Sequence, residues 1–211
     1  MLYESIMQGN LSRDILGNYL VTTDESVNII HENLNRAAEL LNNFKQISVD
    51  QTGSIKTDFL LKEYLESVFF ALKHEYKNKA FTYHIQGDEN LSLYSYPGAF
   101  SQIYTNLIMN SLKHGFIPHK KLHVHISFEK SDEMLTIYYR DNGQGIASEK
   151  IKHIFEPFYT TRRSDGGSGL GLNIVYNIVT STLDGTITCQ SDTNQGVLFT
   201  IQMPYKTKGN L

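Results

Sequence analysis

Asp141 closes the segment Leu135-Thr-Ile-Tyr-Tyr-Arg140, which alternates like a strand. A carboxylate at a strand end can accept the exocyclic amine of adenine, and it would repel the oxygen that guanine carries at the same place. Gly143 and Gly145 follow, and without side chains the backbone there can pass close to a flat base. Asp-Asn-Gly is also a common turn signal, so the run needs company before it means chemistry. A second cluster, Gly166-Gly-Ser-Gly169-Leu-Gly171-Leu172, stands between an irregular stretch and an apolar helix. Glycines there leave backbone amides open at a helix N-terminus, where anions bind favourably and a triphosphate would fit. Flexible loops use the same residues. The cluster does not end in Gly-Lys-Ser/Thr and no strand runs directly into it, so it is neither a Walker loop nor a dinucleotide-binding fingerprint. Asn106 and Asn110, four positions apart, share one face of a helix.

These residues need elements to hold them. Periodicity predicts a long helix over 12–50, with a heptad seam of Leu16, Leu20, Thr23, Val27, Ile30, Leu34, Ala37, Leu41 and Phe44 that needs a partner helix. Ser12 and Asp14 give its start signal. Asp50-Gln-Thr-Gly53-Ser54 reads as a linker. Strands are expected over 54–59, 81–86, 91–96, 122–129, 134–140, 186–190 and 197–203, and helices over 60–77, from Pro97-Gly98 to Lys113, and over 170–182. Residues 146–167 are irregular. Mixed elements with hairpins fit an α+β, two-layer sandwich rather than a doubly wound parallel sheet.

The chain has 211 residues, 40% of them hydrophobic, enough for one sizeable domain and a smaller element. Net charge is −3 and no basic stripe stands out, so neither nucleic acid nor an anionic membrane surface is expected as partner. No apolar run nears the roughly 18 residues of a membrane helix, and no signal peptide is visible. The single cysteine, Cys189, reads as a small buried hydrophobe in a reducing cytoplasm. His119, His123 and His125 make a metal site conceivable, but a third ligand would have to come from a loop.

Five motifs follow in one order: Asn106-Leu-Ile-Met-Asn110-Ser-Leu-Lys113-His114, Asp141-Asn-Gly143-Gln-Gly145-Ile146, Phe155-Glu-Pro-Phe158-Tyr-Thr-Thr161, the glycine cluster, and Gly196-Val-Leu-Phe-Thr200. Together they resemble the ATP-binding domain of sensor histidine kinases, which shares its nucleotide fold with gyrase, Hsp90 and MutL. The resemblance covers about residues 54–205. It implies a Bergerat-type sandwich, a mixed sheet packed on three helices, with ATP and Mg²⁺ as cofactors. It makes Asp141, Gly143, Gly145, Ile146 and Thr200 part of the nucleotide site, along with Gly167, Ser168, Gly169, Leu170, Gly171 and Leu172 around the phosphates. Asn106, Asn110 and Lys113 become the catalytic set, with Asn110 giving its amide oxygen to Mg²⁺. His114 falls where the family often has an aromatic ring. Residues 146–167 become a lid anchored by Phe155 and Phe158, bringing Thr160, Thr161, Arg162 and Arg163 to the phosphates; arginine's forked donors match phosphate oxygens. Asn106 takes the place of a glutamate that activates water in gyrase, Hsp90 and MutL, and an amide is no general base at neutral pH. That favours phosphoryl transfer to a histidine, and thence to a response regulator receiver domain.

The resemblance divides the chain into a partial dimerisation hairpin, 1–52, and a catalytic domain, 53–211. His31-Glu32 imitates the start of an acceptor motif but lacks its proline and lies on the hairpin's second helix. The seam spans 29 residues, about 44 Å at about 1.5 Å per residue. The eleven residues before Ser12 cannot supply an equal partner, so the acceptor histidine is expected upstream, with His31 a weak candidate. A homodimer through the hairpin and a cytoplasmic location, as the cytoplasmic part of a larger, membrane-anchored sensor, are expected. Two other classes stay open: a nucleotide-sensing dimerisation module without kinase activity, and an ATPase of the gyrase and MutL branch.

Overall fold

The computed structural model describes residues 6–7, 9, 12–53, 55–117, 120–161 and 167–207, the side chains of 32 and 35–53 excepted. Helix α1 spans Arg13–Gly53. The start signal read in the sequence is built: the Ile15 amide donates to Ser12 Oγ at 3.2 Å, and Asp14 sits in the first turn. The end differs from expectation. Asp50, Gln51 and Thr52 continue the helix instead of opening a linker, because each costs a helix only a fraction of a kcal/mol. Gly53, the costlier residue, ends it. Of the seam residues, Leu16, Leu20, Val27, Ile30 and Leu34 are 40–64% exposed. Among the described residues no helix is long and apolar enough to cross a membrane.

The remaining elements run β1 (Thr57–Leu60), α2 (Leu61–Ala71), α3 (Lys73–Tyr76), β2 (Phe81–Gln86), β3 (Ser92–Ser95), α4 (Pro97–His114), β4 (Leu122–Ser131), β5 (Met134–Asp141), α5 (Ser148–Ile151), α6 (Gly171–Asn177), β6 (Thr186–Ser191) and β7 (Val197–Pro204). The expected helix over 170–182 is α6 plus a widened π turn, Ile178–Thr182, where the Leu183 amide reaches back five residues to the Ile178 carbonyl. Strands β1 and β3 pair alone. The main sheet has the order β2-β4-β5-β7-β6, with β2 and β4 parallel and every other neighbour antiparallel. Three helices, α2, α4 and α6, cover one of its faces, so the α+β two-layer sandwich is the observed architecture.

Two periodicities build the layers. In α4, Phe100, Ile103, Tyr104, Leu107, Ile108, Ser111 and Leu112 are buried, the three-and-four spacing of one helical face. In β5, Leu135, Ile137, Tyr139 and Asp141 are buried, every second residue. Each fully buried Leu or Ile stabilises the fold by about 1.5–3 kcal/mol. The consequence for function lies in parity: Asp141 is the last member of the inward row of β5, so the sheet carries a carboxylate into the core's end. The same parity acts on β7, where Val197, Phe199, Ile201 and Met203 face inward and Thr200, paired with Tyr138 and Thr188, faces the opposite side.

Candidate functional site

A cavity of about 690 Å³ opens between the C-terminal half of α4, the end of β5, the start of α6, the segment Tyr159–Thr161 and the β6–β7 loop. Asp141 lies in its wall and is 5% exposed. Its Oδ1 accepts the Gly143 amide at 3.0 Å and the Val197 amide at 3.2 Å, and its Oδ2 accepts the Ser111 hydroxyl at 2.6 Å. A buried carboxylate is tolerable with such donors around it. Behind it Ser111 Oγ meets Tyr139 Oη at 2.9 Å.

Across the cavity α6 begins. Its first internal bond runs from the Ile174 amide to the Leu170 carbonyl at 2.9 Å, so helix geometry gives the amides of Gly171, Leu172 and Asn173 no acceptor within the helix. Gly171 approaches α4 closely. A Cβ on it would lie 3.1 Å from Asn106 Oδ1 and 3.8 Å from Asn110 Oδ1. Both amide oxygens therefore border the glycine turn, and Asn106 Nδ2 is held by the Gln102 carbonyl at 2.9 Å, which turns its oxygen that way. Lys113, the half-buried His114, Lys150, Thr160 and Thr161 also line the cavity. Gln144 ties the parts together. Its side chain donates to the His114 carbonyl, its amide donates to the Gly115 carbonyl at 3.2 Å, and its carbonyl accepts the Asn194 amide at 2.6 Å.

Of the residues read from the sequence, Asn106, Asn110, Lys113, His114, Asp141, Gly145, Ile146, Thr160, Thr161, Gly167, Ser168, Gly169, Gly171 and Leu172 line one cavity. Four do not. Thr200 is on the far face of β7 by the parity above. Leu170 contributes its carbonyl to the α6 cap instead. Phe158 is 47% exposed with φ +65°, while Phe155 packs on Tyr176 and Phe199 at ring distances of 5.5 and 6.3 Å and accepts Asn173 Nδ2 on its carbonyl at 2.9 Å. The anchor of the segment is thus Phe155 without Phe158. Gly143 lies outside the cavity, and its missing side chain serves the fold: a Cβ would lie 2.6 Å from Gly115 Cα. Gly145, at φ +70°, does line the cavity, and a Cβ on it would meet the Asp192 carbonyl. Backbone stands where a Cβ of either glycine would lie. Arg162, Arg163 and His119 lie outside the described residues.

Sequence reasoning missed Ser111, Gln144 and the β6–β7 loop residues Thr193 and Asn194. Ser111 sits one position past Asn110 and could have been found by asking which hydroxyl shares the inward face of α4; the loop carries no local signal. On the sheet's outer face His84 and His125 stack at 5.4 Å. Burial lowers the His125 pKa, and His84, His123 and Arg140 add to the effect. His123 meets Thr82 Oγ1 at 3.0 Å. Among the described residues no three His, Cys, Asp or Glu side chains are grouped to hold a metal ion. The Cys189 thiol is pushed up to about 12, by burial first and then by the Asp141 charge, which makes it a poor nucleophile.

Comparison with known proteins bears on the family and the fold. The profile of the histidine kinase-, DNA gyrase B-, and HSP90-like ATPase family matches residues 96–207. The autoinducer 2 sensor kinase/phosphatase LuxQ of Vibrio parahaemolyticus serotype O3:K6 is 36% identical over 131 residues, 58% of this chain and 15% of LuxQ. Sporulation kinase B of Bacillus subtilis (strain 168) is 26% identical over 176 residues, 83% of this chain and 40% of the relative. The chain thus spans well under half the length of these relatives. The catalytic domain of histidine kinase ThkA shares the fold, with a TM-score of 0.63 at 24% identity over 72% of this chain and 96% of that one. ThkA in its complex with response regulator protein TrrA gives a TM-score of 0.67 at 21% identity, covering 91% of this chain and 57% of that one. A family match over more than half of the residues, on a cavity built by the same segments, makes this chain a member of the histidine kinase-, DNA gyrase B-, and HSP90-like ATPases.

Proposed function

We propose that the cavity binds Mg-ATP and that the protein passes its γ-phosphoryl group to a histidine imidazole. The observation that carries this reading is the distribution of polarity in the cavity. A buried carboxylate, an acceptor, stands beside Ser111 of α4, and the open amides of α6, all donors, begin beside Asn106 and Asn110 further back on that helix, with Lys113 and Lys150 lining the same cavity. Adenine's amine and a triphosphate need that order. Asn106 favours transfer over hydrolysis: its amide cannot take a proton from water at neutral pH, which favours a nucleophile supplied by another segment. The kinase names of the similar proteins support the same reading.

Magnesium fits the residues present. It takes hard oxygen ligands and keeps several waters and phosphate oxygens, so one or two neutral amide oxygens suffice from the protein. Asn110 Oδ1 would hold it, with Asn106 Oδ1 beside it at the glycine turn. When bound, the ion neutralises charge developing on the phosphates. The chain's own part is positioning. Asp141 orients the base, the α6 amides and Lys113 cradle the phosphates, and the segment after Phe155 closes over them. Arg162 and Arg163 are proposed as its phosphate contacts.

In the same reading residues 1–52 are part of a dimerisation hairpin and 53–211 the catalytic domain. The α1 seam pairs with a second copy, the acceptor lies on a neighbouring helix rather than at His31, a receiver domain takes the phosphoryl group onward, and the protein works in the cytoplasm. The test is γ-labelled ATP with Mg²⁺ and an acceptor hairpin supplied in trans. Label on the hairpin is expected. Phosphate released without labelled protein would point to a hydrolase, and binding without transfer to a nucleotide sensor; either overturns the kinase reading.

A further inference from the structure

Three buried polar groups stand in line where the surrounding rows are apolar. Tyr139 is 1% exposed and Ser111 4%, and they connect end to end with Asp141 at 2.9 and 2.6 Å. We propose that Ser111 and Tyr139 act as a positioning pair that presents Asp141 Oδ2 to the cavity as an acceptor and so sets the preference for a purine with a 6-amino group. The inference rests on the Mg-ATP reading above and deepens it.

Counting donors fixes the direction of the chain. A hydroxyl has one proton. Ser111 spends its proton on the carboxylate, which has none to give, so Tyr139 must donate to Ser111. Tyr139 keeps its proton, since burial pushes its pKa well above the ordinary value. The polarity therefore runs one way, from Tyr139 through Ser111 to Asp141. Counting acceptor positions shows where it ends. A carboxylate offers about four. Oδ1 uses two on the Gly143 and Val197 amides, and Oδ2 uses one on Ser111. One position on Oδ2 remains, and its direction is set by the Ser111 bond. Asp141 lines the cavity, and in this proposal the remaining position is the one a ligand meets. A donor such as an exocyclic amine satisfies it; a carbonyl at the same place is repelled.

Burying two hydroxyls is costly unless they are bonded. Alanine and phenylalanine would pack at these two sites and leave Asp141 with fewer constraints. The pair is thus separable from core packing by what it does to ligands. A purely structural role would change affinity for all nucleotides alike, whereas a positioning role changes the ratio between them.

The experiment is calorimetric titration of Mg-ATP and Mg-ITP into the whole chain, into Ser111→Ala and into Tyr139→Phe, with thermal melting to show that each is folded. The parent chain is expected to prefer ATP. In Ser111→Ala the preference should fall about tenfold, the lower range for losing a bond to a charged group, and in Tyr139→Phe about threefold, as for a neutral bond. Tyr139→Phe removes one oxygen from a packed ring, so it remains an informative variant if Ser111→Ala melts. A preference unchanged in the folded variants, with both affinities lowered together or not at all, overturns the pair's role and leaves the ATP reading standing. A parent chain that binds ATP and ITP equally overturns the adenine assignment, and the positioning pair with it.

Discussion

Replacing Asp141 by Asn keeps the volume of the side chain and exchanges one oxygen for an amide nitrogen. The consequences follow bond by bond. Oδ1 still accepts the Gly143 and Val197 amides at 3.0 and 3.2 Å. The new NH₂ stands where Oδ2 met the Ser111 hydroxyl at 2.6 Å, so Ser111 must now accept from it. The Ser111–Tyr139 pair then holds two protons and can satisfy one of them, leaving a buried donor without an acceptor, a loss of about 1–3 kcal/mol. At about 2–4 °C per kcal/mol for a domain of this size, melting should fall by several degrees without loss of folding. Ligand binding changes more. The cavity acquires a donor where it had an acceptor, facing adenine's amine. Losing a hydrogen bond to a charged group costs about 1.5–3 kcal/mol, or about 10–150-fold in Kd. Mg-ITP, with an oxygen at that position, should lose little. Calorimetry on the parent and on Asp141→Asn reads both. A variant that melts as expected yet binds Mg-ATP within about twofold of the parent would refute the assignment of Asp141 to the base.

Three further outcomes are expected. Gly171→Ala should leave stability nearly unchanged, because alanine's helix preference of about 1 kcal/mol offsets the 3.1 Å contact with Asn106 Oδ1. Its methyl stands between the first-turn amides and the asparagine oxygens, so Mg-ATP affinity should drop about tenfold, and unchanged affinity would move the phosphates elsewhere. The lowered His125 pKa means that the unfolded chain takes up a proton near its ordinary value of 6.5 before the folded chain does. The contribution of this residue to stability is therefore complete above that pH and is lost as pH falls below it; urea midpoints between about pH 7.5 and about pH 5 should decline, and His125→Gln should flatten part of the slope. Val27→Glu on α1 places charge in the exposed seam, where Val27 is 56% exposed. It should convert dimer to monomer in sedimentation without shifting the melting of the sandwich; a monomeric parent chain would remove the pairing.

Much of the fold is legible along the chain because the signals are local. The face of α4 and the alternation of β5 are one-dimensional patterns, and a helix or strand that satisfies them has one face to bury. The Asn106–Asn110 spacing and the glycine turn at Gly171 are local in the same sense, and the structure brings them together. Where the reading failed, the deciding neighbour was distant in sequence. Gly143 reads as room for a ligand until Gly115 is seen against it. Thr200 reads as part of a site motif until strand parity turns it to the far face. Phe155 and Phe158 look equivalent in sequence, yet only Phe155 reaches the core.

The residue types alone determined that an acid, an amide pair and a cluster of backbone donors exist, and therefore which chemistry is available, since donor and acceptor character is covalent and travels with the residue. Tertiary structure decided which of these groups share one cavity and what stands behind them. The line from Tyr139 through Ser111 to Asp141 joins a strand to a helix across about thirty residues of chain, 28 for one bond and 30 for the next. A hydrogen bond needs an approach within a few tenths of an ångström, and only the packing of α4 on the sheet supplies that precision.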